Sequence, residues 1–118
     1  MSVGTIEELK TKKCQPCEGG VPPVSRKEAD RLLKDLPGWE LTEGAKRIRR
    51  EWTVKHFMAA IDFFNRVAEL AEDEGHHPAL LTEYGKVTVT WWTHKIGGLH
   101  RNDFICAAKT DALFDKRT

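Results

Sequence analysis

Between Ser25 and Phe114 the hydrophobic pattern switches between a period of about 3.6 residues and one of about 2, and the switches divide the chain into helices and strands. Ala29, Leu32, Leu33 and Leu36 follow a Ser25-x-x-Glu28 capping box at helical spacing, which predicts a first helix over about residues 26–35. Pro37-Gly38 stops it, and Trp39-Glu40-Leu41 begins a short strand. Glu43-Gly44 turns the chain into a second strand, Lys46 to Val54. Ile48, Trp52 and Val54 lie on one face of it, interrupted by Arg50, and Arg47, Arg49 and Glu51 on the other.

From Val54 the period lengthens. Phe57, Ala60, Ile61, Phe64, Val67, Ala68 and Ala71 form an apolar stripe about four turns long, a core helix rather than a ligand box. Leu80-Leu81-Thr82 and Val87 to Thr93 then read as a hairpin around Glu83-Tyr84-Gly85-Lys86. In the latter strand Val87, Val89 and Trp91 share one face, and Thr88, Thr90, Trp92 and His94 the other. Ile96-Gly97-Gly98-Leu99 reads as a loop. Asn102 to about Phe114 reads as a final helix, with Phe104, Ile105, Ala107, Ala108 and Ala112 apolar. This order predicts an α+β domain over residues 25–118, a four-stranded antiparallel sheet with three α-helices packed on one face. Residues 1–24, rich in turn formers and without apolar period, are expected to form an extended surface arm.

At 118 residues the chain is long enough for one domain with a real core. Its 19 basic and 18 acidic residues nearly cancel, so no electrostatic pull toward nucleic acid or membrane follows, and a small, weakly charged ligand fits better. With no long apolar run and no signal-peptide pattern in Met1 to Lys10, the expected location is the cytoplasm. Cys14, Cys17 and Cys106 are a poor disulfide framework and an incomplete zinc set, so reduced thiols are expected.

The chemistry concentrates between Glu72 and Asp103, where four of the five histidines fall. Pro78 biases His77 toward extended backbone, so the His76-His77 pair should leave the preceding helix at a helix-to-strand junction. Glu69, Glu72, Asp73 and Glu74 crowd that helix's C-terminus, where the macrodipole disfavours anions. Glu72 lies one turn before His76 and is the favoured functional member, the alternative being that all four are merely solvated. Adjacent histidines on extended backbone point to opposite sides, a poor arrangement for sharing a metal, so no metal is expected. Imidazoles suit proton transfer at neutral pH instead, with Glu72 or Asp103 placed to fix a tautomer. No activated nucleophile is evident, which leaves acid–base chemistry.

Glu72-x-x-x-His76-His77-Pro78, Tyr84, Thr93-His94-x-x-Gly97-x-Leu99 and Asp103, with Leu36-Pro37-Gly38-Trp39 upstream, resemble the signature of the pterin-4a-carbinolamine dehydratases over about residues 25–114. The resemblance implies loss of water from 4a-hydroxytetrahydropterin to give quinonoid dihydropterin, recycling the cofactor of aromatic amino acid hydroxylases. It implies a homodimer or homotetramer and no metal or other cofactor. Carried over by residue, His76, His77 and His94 are the catalytic set, Glu72 and Asp103 support them, and Trp39, His77, Pro78, Trp92 and Thr93 contact substrate. His100 departs from the family's usual Ser or Thr, which caps the last helix and forms a box with Asp103. The departure is expected to cost about 1 kcal/mol and to loosen Asp103. A non-catalytic binding role on the same fold is the alternative, since family members also serve as a transcriptional dimerisation cofactor or as assembly factors for ribulose bisphosphate carboxylase. The intact histidines favour the enzyme.

Overall fold

Ser25 Oγ accepts the Glu28 N–H at 3.2 Å and opens helix α1 (Arg26–Leu33), but only this half of the expected box forms, because the Glu28 carboxylate accepts from Arg31 instead of reaching back. The computed structural model, which describes residues 22–114, ends that helix two residues before the expected boundary. Pro37 explains the early stop, because it disfavours helical backbone at Leu36, and the N–H groups of Lys34 and Asp35 already turn to i−3 carbonyls, each at 3.3 Å. Leu36 is still carried fully into the core. The expected arm lies almost wholly outside the described residues, Cys14 and Cys17 included. Its described end docks where Val24 N–H donates to Leu99 O at 2.7 Å. There a Cβ on Gly98 would stand 2.9 Å from Pro23 Cβ, so the close approach needs glycine.

Strands β1 (Glu40–Thr42), β2 (Arg47–Thr53), β3 (Ala79–Glu83) and β4 (Lys86–Trp91) form one antiparallel sheet in the order β1-β2-β4-β3. Helix α2 (Phe57–Glu74) crosses over between β2 and β3, which run parallel to each other with β4 between them. A 3₁₀ turn (His94–Ile96) and helix α3 (Arg101–Leu113) complete the chain. The three helices back one face of the sheet, as expected from the element order. Register places Ile48 opposite Trp91 and Trp52 opposite Val87, and Ile48, Val87, Val89 and Trp91 are inaccessible to solvent.

The apolar stripe of α2 is rotated from the expected one. Ala59, Ala60, Phe63, Val67 and Ala71 are buried, whereas Phe57 is 44% exposed and Ile61, Phe64 and Ala68 are only partly covered. Apolar residues occupy two neighbouring faces of this helix, and spacing alone does not say which one meets the sheet. Phe63 is the residue that the spacing omitted, and it packs edge-on against Trp52 at 5.1 Å between centroids. Helix α3 is buried nearly all round from Asn102 to Ala108, though Ala112 is exposed rather than in the core.

Arg50 keeps its place on the core face of β2 because Asp111 of α3 meets it, Nη1 to Oδ1 at 2.9 Å, while the guanidinium covers Trp52. The same carboxylate oxygen accepts Trp39 Nε1–H at 3.0 Å. Burial raises the Asp111 pKa, and the Trp39 hydrogen bond and the Arg50 charge oppose it without winning. A folded-state pKa above the unfolded one means a contribution to stability that is complete below the ordinary Asp range and lost as pH rises through the raised value. Asp111→Asn abolishes this titration. The stability of the wild type relative to Asp111→Asn is therefore expected to fall as pH is raised from about 4, followed by urea midpoints across that window.

Candidate active site

Helix α2 ends at Glu74 because Gly75 takes the left-handed conformation, φ 64°, and His76 N–H reaches back to Ala71 O at 3.1 Å. The reversal, followed by Pro78, sends the paired histidines to opposite sides. His76 turns inward, its side chain only 12% exposed, and its Nε2 lies 2.6 Å from Oδ1 of Asp103, which is wholly buried. His77 turns outward, 62% exposed, with Nε2 2.5 Å from Glu72 Oε2. Glu72 thus serves His77 rather than His76, because the left-handed residue breaks the helical spacing on which the expected pairing relied. Of the four acids at this helix end, Glu74 is not solvated either. Its Oε2 accepts from Lys109 Nζ at 3.1 Å, tying α2 to α3.

Asp103 is held from three directions. Its Oδ2 accepts Thr93 Oγ1–H at 2.9 Å and the His100 N–H at 2.9 Å, leaving Oδ1 for His76. Thr93 is itself buried, and its hydroxyl donates to Asp103. The expected loosening of Asp103 by His100 does not occur. His100 Nδ1 accepts the Asn102 N–H at 3.1 Å, and with the His100 N–H to Asp103 bond it completes a capping box at the start of α3. A neutral imidazole nitrogen is an acceptor as a hydroxyl is, which is why the substitution preserves the box. With the Asp103 carboxylate as acceptor, His76 presents Nε2–H to Oδ1, and Nδ1 has no hydrogen bond to the described residues.

His76 also stacks on Trp91, with ring centroids 5.4 Å apart and planes 12° apart. Trp91 is fixed in turn by Nε1–H donation to Thr110 Oγ1 at 3.2 Å. Spacing assigned Trp91 to the core face and gave no sign of this stacking role. His94 opens the 3₁₀ turn beyond β4, exposed, its ring 4.4 Å from that of half-exposed Trp92. It follows Thr93, so it sits one residue from a group that anchors the His76–Asp103 pair. Pro78 is half-buried between His77 and β3.

Trp39 stands apart from this cluster. It is buried on Trp52, 5.5 Å between centroids, and bonded to Asp111. Asp103 and Asp111 are separated by about 12 Å along α3 at about 1.5 Å per residue. The expected position of Trp39 at the edge of the site followed a sequence motif, and the turn that carries it delivers the indole to the opposite end of α3. Among the described residues no group of three or more His, Cys, Asp and Glu side chains is arranged to hold a metal ion, and no helix is long and apolar enough to cross a membrane.

Residues 22–113 match the family model described as pterin 4 alpha carbinolamine dehydratase. A protein of Chlorobaculum tepidum, provisionally named a pterin-4-alpha-carbinolamine dehydratase, is 55% identical over 92% of this chain and 99% of its own length. One of Marinobacter nauticus with the same provisional name is 51% identical over 92% of this chain and all of its own. The crystal structure of a transcriptional coactivator/pterin dehydratase from Brucella melitensis superposes with a TM-score of 0.73 at 32% identity, covering 77% of this chain and 97% of that one. With the sheet order, the helices on one face and the paired histidines at the end of α2, these likenesses show that the chain belongs to the pterin 4 alpha carbinolamine dehydratase family.

Proposed function

We propose that the protein dehydrates 4a-hydroxytetrahydropterin to quinonoid dihydropterin by acid–base catalysis. The observation that carries this reading is the buried His76–Asp103 pair, which holds one imidazole in a single orientation and tautomer. In the reaction the C4a–O bond breaks, the departing hydroxyl takes up a proton and leaves as water, and N5 gives up its proton as the N5=C4a double bond forms. His76 Nδ1 and the ring of His94 are the proton-transfer groups, a role worth about 10²- to 10⁴-fold in rate for each group. His77, braced by Glu72 on the exposed side, binds and orients the pterin together with Pro78 and Trp92. Thr93 and Asp103 act through His76.

Phe57, Met58, Leu81 and Tyr84 are exposed, which supports self-association into a homodimer or homotetramer, and the location proposed for it is the cytoplasm. The coactivator half of the Brucella protein's name is the reason to keep a binding role as the second reading.

Stopped-flow mixing with chemically prepared 4a-hydroxytetrahydropterin, following quinonoid dihydropterin, tests the enzyme reading. Acceleration over buffer is expected and should survive dialysis against a chelator. A rate equal to buffer overturns it in favour of the binding role. In the same assay His77→Ala is expected to raise KM severalfold with kcat nearly unchanged, the mark of lost binding rather than lost proton transfer.

A further inference from the structure

We propose that Arg47, on a strand that supplies none of the groups assigned to the reaction, positions His94 by clamping Trp92 against it. The proposal deepens the proposed function and rests on its assignment of His94 to proton transfer. Arg47 Cζ lies 4.1 Å from the centroid of the Trp92 ring, and the His94 ring centroid lies 4.4 Å from that of the same residue, tilted by 37°. Two groups each about one van der Waals contact from the same ring have no room on a single face. On this proposal the indole is sandwiched, guanidinium on one side and imidazole on the other.

Each partner needs the stack for a separate reason. Trp92 lies just past the end of β4 and, among the described residues, has no ladder partner. The His94 side chain is exposed, opens a three-residue 3₁₀ turn, and makes no side-chain hydrogen bond to the described residues, so the face of Trp92 is its restraint. Arg47 is the fixed end. It is paired with Thr42 across β1 and β2, and its neighbour Ile48 is paired with Trp91, so its backbone belongs to the sheet. Nearby Arg49 is engaged by Glu51 at 2.5 Å and Glu40 at 3.8 Å, whereas among the described residues no carboxylate pairs with Arg47, whose charge meets the ring face instead. Both histidines assigned to proton transfer thus rest on adjacent tryptophans, Trp91 at the end of β4 and Trp92 just beyond it. Trp91 is pinned by Thr110 and Trp92 by Arg47.

The test combines Arg47→Ala, Arg47→Lys, Trp92→Ala and the double variant Arg47→Ala/Trp92→Ala. In NMR spectra the ring protons of a histidine stacked on indole are displaced upfield. Arg47→Ala is expected to move those of His94 most of the way to their position in Trp92→Ala, leaving the His76 ring unchanged. In turnover, Arg47→Ala is expected to lower kcat by about tenfold with KM within about twofold, as a small misplacement of a proton-transfer group does. The double variant is expected to be no slower than Trp92→Ala alone, because Arg47 acts only through the indole. Arg47→Lys, which restores the cation without the flat guanidinium, should recover part of the rate. Unmoved His94 resonances in Arg47→Ala, or multiplicative rate losses in the double variant, overturn the clamp. A wild type that gives no turnover overturns the proposed function instead, and the NMR comparison still decides whether Arg47 holds His94.

Discussion

His76→Ala is expected to lower kcat by on the order of 10²-fold or more in a protein that remains folded. The ring is mostly buried, yet among the described residues its one hydrogen bond is to Asp103, and it stacks on Trp91. Its loss leaves Asp103 with two donors, Thr93 Oγ1–H and the His100 N–H, so the carboxylate is not orphaned. The chemistry has no such reserve. His94→Ala should produce a fall of the same order with even less effect on stability, because that ring is exposed. Stopped-flow kcat values alongside urea unfolding separate the two effects. Wild-type kcat in both variants would remove these histidines from the reaction and leave the binding reading.

Asp103→Asn has a comparably large expected effect for a different reason. In the variant the amide oxygen has to accept both Thr93 Oγ1–H and the His100 N–H, since a nitrogen in that place would oppose two donors. The NH₂ group then faces His76 Nε2, which becomes an acceptor, and the imidazole proton moves to Nδ1, the atom assigned to proton transfer in the proposed function. A wrong tautomer held in the right place is costly; in the Ser-His-Asp triad the same exchange drops kcat about 10⁴-fold. Here a loss of about 10²-fold or more is expected, with ¹⁵N shifts of His76 showing protonation at Nδ1. Unchanged kcat with a shifted tautomer would mean that His76 Nδ1 takes no proton in the rate-limiting step.

The fold was legible wherever one residue's environment could be read from its near neighbours. The alternation of Ile48, Trp52 and Val54 placed β2 correctly, and the Ser25 box located the start of α1. Legibility failed where two periods overlapped or where the partner was distant in sequence. On α2 both Phe63 and Phe64 suit an apolar stripe, and only the packed sheet selects Phe63. In the site, the opposed directions of His76 and His77 followed from Pro78 and extended backbone, but their partners did not. Gly75 breaks the spacing between Glu72 and His76, and Asp103 arrives from another helix. The partner of Trp39 was not legible for a similar reason, since nothing local connects it with Asp111. His100 shows the remaining limit: a preference for Ser or Thr at a cap is a statement about acceptors, and an imidazole nitrogen satisfies it.

The strand order carries a consequence for how the molecule comes together. β4 is the last strand along the chain, yet it lies inside the sheet and supplies the ladder for both β2 and β3. The β3–β4 hairpin closes locally, whereas pairing Thr53 with Lys86 closes a loop that contains the whole of α2. β1 and β2 can form their own hairpin early, but they remain a separate ribbon until β4 arrives. The His76–Asp103 bond comes later still, since Asp103 lies beyond every strand and on the helix that packs last in chain order. The orientation of the His76 imidazole is therefore coupled to completion of the native topology: a partly assembled chain can hold helices and a hairpin while that ring is still unheld.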